Sequence, residues 1–289
     1  MHSNDRPRRS VLYMPGSKAR ALEKAKTLSA DTLILDLEDA VTPSEKPAAR
    51  QMVADTVGAG GYGYRELVIR INGLDTEWGA PDLDTIATAG AHAVLVPKVE
   101  SLDMLDSVCT RLTAAGAPAD LPVWAMMETP LAMLNAAEIA THPRLACLVM
   151  GTNDLVKELG AAHTELRLPM VTALGLCMLA ARAHGLSILD GVYNAYKDDE
   201  GLRASCLQGK EMGFDGKTLI HPAQLSVTNE VFAPSVDEIA LAERYVSAFA
   251  EAEAAGQGVA VVDGRIVENL HVDTAKKLLH KAAAIAAMK

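Results

Sequence analysis

Val123-Trp124-Ala125-Met126-Met127-Glu128-Thr129-Pro130 holds a strand, a charged tip and a helix start in eight residues. Its five leading apolar residues show no polar alternation, so the run reads as a strand buried on both faces of a parallel sheet. A carboxylate ends the run. Thr129 then offers an N-cap oxygen, and Pro130 suits the first helical position, where a missing N–H is harmless.

Working outward, the same unit recurs. Val11–Met14, Thr32–Leu35, Leu67–Ile71, Ala93–Val96, Leu145–Met150, Ser187–Leu189 and Lys217–Ile220 are seven further strand-like runs. Helical patterns lie between them, such as the stripe Leu102, Leu105, Val108 and Leu112, and the segment from Pro169 to Gly185. Eight strand–helix units in about 230 residues fit a (β/α)8 TIM barrel in number and length. A doubly wound open sheet, the competing α/β arrangement, usually has fewer strands and a glycine-rich phosphate turn. No GxxxxGK[ST] occurs.

The tail is extra. Ser235 and Glu238 form a capping box for a helix through Ala255, closed by Gly256. Val259–Val262, Asp263-Gly264 and Arg265–Val267 read as a hairpin with a type I′ turn, and a last helix is predicted from about Thr274 to Met288. The division is a barrel domain, 1–233, and a C-terminal helix–hairpin–helix appendage, 234–289. An appendage this small is expected to pack on the barrel or on a neighbouring subunit.

The chain has 289 residues, 49% hydrophobic and 22% charged, with a net charge of −10. That balance argues against general binding of nucleic acid or anionic membrane. No signal peptide or apolar span is visible, and four scattered cysteines without a CxxC pair fit a reducing cytoplasm. The first 26 residues run the other way, with a net +5. They read either as a solvated arm or as a site for a polyanionic ligand.

In a TIM barrel the chemistry sits at the C-terminal ends of the strands. Those ends carry Asp36-Leu37-Glu38-Asp39, Arg70-Ile71-Asn72, Pro97-Lys98, Glu128, Gly151-Thr152-Asn153-Asp154 and His221-Pro222. Two carboxylates without a nearby cysteine or histidine suit a hard cation, so Glu128 and Asp154 are candidate Mg²⁺ ligands. The alternative has Glu128 capping the following helix and Asp154 lying in a helical first turn. Arg70 pairs either with a structural carboxylate, Asp36 or Glu38, or with a ligand's carboxylate. Gly16-Ser17 before a helix is an ordinary turn or a weak anion site. Asp273 reads as the N-cap of the last helix, and His221 as a loop residue.

Together these residues resemble the citrate lyase β-subunit-like family of the HpcH/HpaI aldolase superfamily, which includes citryl-CoA, citramalyl-CoA and malyl-CoA lyases. The resemblance runs through Arg9-Ser10-Val11-Leu12-Tyr13-Met14-Pro15-Gly16, Leu35-Asp36-Leu37-Glu38-Asp39-Ala40-Val41 and Ile69-Arg70-Ile71-Asn72-Gly73-Leu74. It continues through Val96-Pro97-Lys98, Met127-Glu128-Thr129-Pro130, Gly151-Thr152-Asn153-Asp154-Leu155 and Gly213-Phe214-Asp215-Gly216-Lys217. It implies a TIM barrel that binds Mg²⁺, with Mn²⁺ as a substitute, and a coenzyme A thioester. Glu128 and Asp154 fall on the metal ligands, Glu128 also touching substrate, and Arg70 on the arginine that holds the oxoacid carboxylate. Tyr13, Lys18 and Lys24 fall on coenzyme A contacts. Asp273 falls on a catalytic aspartate that reaches a neighbouring subunit's site, which implies a homo-oligomer, a trimer or hexamer. Asp36 and Glu38 are expected to hold Arg70 or metal-bound water.

The implied reaction is reversible Claisen-type cleavage of a 3-hydroxyacyl-CoA into an acyl-CoA and a 2-oxoacid. Asn153 stands where citrate lyase β-subunits commonly have glutamate, which points to a stand-alone enzyme on a free CoA ester. The alternatives are an acyl-CoA thioesterase, a metal-dependent aldolase, and a non-catalytic subunit of a citrate lyase complex.

Overall fold

A computed structural model describes residues 6–288. Strands β1 (Ser10–Pro15), β2 (Thr32–Asp36), β3 (Glu66–Arg70), β4 (Ala93–Val96), β5 (Val123–Met127), β6 (Leu145–Met150), β7 (Ser187–Asp190) and β8 (Gly216–Leu219) close into a parallel barrel in sequence order. β8 returns to β1 through Ser10↔Lys217. Each strand falls within a residue or so of its apolar run. The helices are α1 (Ala19–Ala25), α2 (Lys46–Ala59), α3 (Gly79–Ile86), α4 (Leu102–Ala114), α5 (Pro130–Leu134), α6 (Ala136–Ile139), α7 (Thr152–Glu158), α8 (Val171–Ala183), α9 (Asp199–Met212), α10 (Leu225–Phe232), α11 (Val236–Ala254) and α12 (Asn269–Ala286). The barrel is of the (β/α)8 class.

Strand alternation divides the core in two. Val11, Ile34, Val68, Leu95, Trp124, Met126, Val149 and Leu189 fill the barrel interior, while the alternate residues pack outward against the helices. The N-terminal end of the barrel is plugged. Arg8 donates from Nε and Nη2 to both Glu66 oxygens (2.7 and 2.8 Å) and from Nη1 to Ser187 Oγ (2.8 Å). Its guanidinium lies 5.0 Å from the Trp124 ring. A buried arginine is tolerated here because its carboxylate partner is bidentate.

Arg8–Phe232 form one compact unit and the remaining described residues a second. In the second unit Ser235 and Glu238 make the expected capping box. β9 (Ala260–Val262) and β10 (Arg265–Val267) pair antiparallel, with Asp263 and Gly264 at φ 50° and 75°, as a type I′ turn demands. Val262, Val267, Val272 and Ala252 form its small core. One expectation is corrected. The last helix begins at Asn269, five residues early, and its N-cap is Glu268, whose N–H donates to His271 Nδ1 (3.0 Å). Asp273 is therefore inside α12, exposed, and caps nothing. Among the described residues no helix is long and apolar enough to cross a membrane.

Candidate active site

Parallel register sets strand tips side by side, and this assembles the site. Asp36 and Arg70 are register partners across β2 and β3, and Met127 and Met150 across β5 and β6. Tyr13, Asp36, Arg70, Glu128 and Asp154 accordingly line one cavity of about 340 Å³ at the C-terminal end of the barrel.

Arg70 has carboxylates on every side. Nε and Nη2 donate to the two Asp36 oxygens at 2.7 Å each. Nη1 lies 2.7 Å from Glu38 Oε2 and 3.2 Å from Asp39 Oδ2. The ring of Tyr13 lies 4.8 Å from the guanidinium carbon. Both structural carboxylates considered for Arg70 are thus used. Asp36 also accepts from the N–H groups of Glu38 (2.9 Å) and Ala40 (3.0 Å). Burial opposes its ionisation, but Arg70 and these donors outweigh burial and hold its pKa below the usual range. Asp36 is therefore a holder of Arg70. Glu38 is less well matched: burial, with Asp39 and Asp36 adding to it against Arg70, pushes its pKa up to about 7.

Glu128 lies just beyond β5. Its Oε1 accepts from the Lys98 N–H (2.8 Å), presented by a left-handed residue at φ 47°. It does not cap α5; Thr129 does, accepting from the Ala132 N–H (3.2 Å). Burial, then Glu38, with Asp154 adding, pushes its pKa up to about 7. Gly151 makes room for it, since a Cβ there would overlap the Glu128 side chain. Asp154 sits in the first turn of α7. Among the described residues no group of three or more His, Cys, Asp or Glu is placed to hold a metal. A carboxylate pair, buried Glu128 and half-buried Asp154, nonetheless fits a small hard cation, which takes one or two protein carboxylates and fills its shell with water and substrate oxygens.

Two networks behind the rim carried no signal in sequence. Lys46 Nζ donates to the Leu37 and Glu38 carbonyls (3.0 and 2.8 Å) and to Asn72 Oδ1. Asn72 donates to Asp82, which Arg50 holds in turn. Together they fix the turn that carries Glu38. At the C-terminal end of β7, buried Asp190 bridges Arg167 (2.6 Å) and Lys217 (2.7 Å).

The remaining expected site residues are more dispersed. Tyr13 lines the cavity. Lys18 stands at the N-cap of α1, 58% exposed and 3.3 Å from Glu45. Lys24 is exposed in the last turn of α1, and neither lysine lines the cavity. Asp273 belongs to the second unit. His221 caps a short 3-10 turn through Nδ1 and lies 4.5 Å from the Tyr196 ring.

The family model for HpcH/HpaI aldolase/citrate lyase matches residues 9–222. A (3S)-malyl-CoA thioesterase from Cereibacter sphaeroides is 62% identical over 283 residues, covering 98% of this chain and 97% of the relative. The citrate lyase subunit beta of Haemophilus influenzae is 35% identical, covering 95% and 97%. Among solved structures, CitE of Mycobacterium tuberculosis in complex with magnesium, acetoacetate and coenzyme A is 29% identical, with a TM-score of 0.77 over 96% of this chain and 99% of that one.

Proposed function

The chain belongs to the HpcH/HpaI aldolase/citrate lyase family, and from that premise we propose that it hydrolyses the thioester of a malyl-CoA-type 3-hydroxyacyl-CoA. The observation that carries the reading is one cavity holding two carboxylates, buried Glu128 and half-buried Asp154, beside an anchored arginine, Arg70. The 62% identity to a named malyl-CoA thioesterase favours hydrolysis. Carbon–carbon cleavage to acetyl-CoA and glyoxylate is the second reading, favoured by the citrate lyase relatives.

Glu128 and Asp154 are the proposed holders of Mg²⁺, which when bound supplies Lewis-acid polarisation of substrate oxygens. Arg70 would orient the substrate carboxylate. Asp36 and Glu38 keep its guanidinium from swinging away, so orientation is set before substrate arrives. Tyr13 walls the chamber, and Lys18 and Lys24 would attract coenzyme A phosphates from the exposed face of α1. In hydrolysis a water oxygen bonds to the thioester carbon, the C–S bond breaks with its electron pair on the coenzyme A sulfur, and the water's proton must be taken up and passed to that leaving thiolate. Asp273 is our choice for that uptake, reaching the site from a neighbouring subunit of a trimer or hexamer.

Product analysis tests the reading. With malyl-CoA and Mg²⁺, free coenzyme A and malate are expected in equal amounts. Acetyl-CoA and glyoxylate instead would establish the second reading.

A further inference from the structure

Among the described residues, three other than glycine have a left-handed backbone: Lys98, Arg167 and Asp263. Lys98 is the one that closely follows a barrel strand, just past the end of β4, at φ 47°. L side chains rarely adopt this conformation, and glycine adopts it freely. The neighbours hold it in place. Val96 is the last residue of β4 in register with β5. Pro97 and Lys98 then leave the ladder, and Val99, wholly buried, returns to it by donating to the Met126 carbonyl (3.2 Å). The Glu100 carbonyl accepts from Asn135 Nδ2 (2.8 Å). A strained residue persists only where its surroundings over-determine it.

The bend makes two contacts. The Lys98 N–H donates to Glu128 Oε1 (2.8 Å). The side chain, half exposed, brings Nζ to 3.8 Å from Glu38 Oε1, while Glu38 Oε2 lies 2.7 Å from Arg70 Nη1. One residue therefore meets a proposed metal holder through its backbone and the brace of Arg70 through its ammonium. That positive charge acts on Glu38 first, then on Glu128 and Asp154. A glycine in the same conformation would supply the N–H without strain. Only a cation supplies the second contact.

We propose that Lys98 is a positioning residue: its N–H fixes one oxygen of Glu128, and its ammonium keeps Glu38 on Arg70 and tempers the pull of the carboxylates on a divalent cation. Losing the ammonium removes one positive charge from the rim and unpins Glu38, so the cation should bind more tightly. The inference rests on the proposed metal holders, Glu128 and Asp154.

The test is calorimetric titration of Mg²⁺ into the intact protein, with thermal melts of the metal-free form. Lys98→Gly keeps the N–H and suits the left-handed backbone, so it should melt at or above the wild-type temperature. Its Mg²⁺ affinity should rise about fivefold, the scale of one unit charge lost several ångström from the ion at a solvated rim. Lys98→Met, with a side chain of similar length, should show the same rise, and Lys98→Arg should restore the wild-type affinity. Mg²⁺ affinity unmoved in Lys98→Gly and Lys98→Met overturns the proposal, as does a wild type that binds no Mg²⁺. Malyl-CoA hydrolysis is scored separately. Tighter Mg²⁺ binding in an enzyme that leaves malyl-CoA intact upholds the positioning role and removes the proposed function; hydrolysis with an unmoved affinity does the reverse.

Discussion

Arg70 and Asp36 end neighbouring strands in register and meet through two parallel hydrogen bonds of 2.7 Å, both side chains almost wholly buried. The pair is a structural joint and, on the proposed function, a place to anchor a ligand. Arg70→Lys keeps the charge and loses the fork. The expected result is a fall in kcat/KM of about a hundredfold or more, on the scale of one lost charge-stabilising donor, together with a lower melting temperature. Arg70→Ala should destabilise by about 3–5 kcal/mol, because Asp36 is left buried and unpaired. Steady-state kinetics and thermal melts on both variants check this. Wild-type stability in Arg70→Ala would mean Asp36 finds another partner.

Glu128→Gln and Asp154→Asn should each abolish the Mg²⁺-induced rise in melting temperature and lower turnover by about two orders of magnitude or more, since one carboxylate is half the proposed ligand set. Gly151→Ala should mimic Glu128→Gln, because the added methyl displaces the Glu128 carboxylate. Calorimetric titration of Mg²⁺ reads all three. Undiminished activity of either carboxylate variant in EDTA would remove the metal assignment.

Glu38 and Glu128 both ionise near pH 7, raised from the ordinary glutamate range chiefly by burial. The folded protein keeps these protons where the unfolded chain has released them. Between about pH 4.5 and 7 the native state binds more protons, so unfolding free energy falls as pH rises through that window. The metal-free protein should therefore melt lower at the top of the window than at the bottom. Added Mg²⁺ should restore the melting temperature at the top and do little at the bottom. Scanning fluorimetry across pH, with and without Mg²⁺, measures both; a flat metal-free profile would show that the two carboxyls titrate normally.

Asp273 caps no helix, so Asp273→Asn should leave folding and Mg²⁺ binding unchanged. A loss of turnover of about 10²–10⁴, the span of a general acid–base residue, is then expected if it moves the proton. Arg70→Ala and Asp273→Asn chains co-expressed in one oligomer should regain part of the activity that each lacks alone. No recovery in oligomers proven mixed by mass spectrometry would confine Asp273 to its own chain or to no role.

Lys18 is mostly exposed and paired weakly with Glu45. Lys18→Glu should raise KM for the CoA ester several-fold at low salt and little at high salt, because exposed charge attraction is screened within about 10 Å at 0.1 M. A KM that ignores ionic strength would place the phosphates elsewhere.

The strands were legible because all eight are buried on both faces and so lack alternation. Once the barrel was inferred, its geometry alone sent Asp36, Arg70, Glu128 and Asp154 to one rim. The start of α12 was missed because Glu268 is a poor N-cap by type and the Asp273-Thr274 pair mimics a better one. Lys46, Asn72, Asp82 and Arg50 were missed for another reason. Each polar partner is remote in sequence, as with Asn72 and Lys46, 26 residues apart, and nothing local marks a lysine that will be buried. Gly151 is similar: its requirement comes from Glu128, just past the end of the adjacent strand.

The packed barrel interior, with the Arg8–Glu66–Ser187 plug beneath it, closes the cavity from below. Traffic through one mouth must queue. On the proposed function, the acid end of the substrate would enter first and sit deepest, with coenzyme A trailing across the opening. After the thioester breaks, coenzyme A departs first and the acid last. Inhibition by the free acid should then compete with substrate, while inhibition by coenzyme A should be mixed, a kinetic asymmetry traceable to a barrel that is packed shut below its cavity.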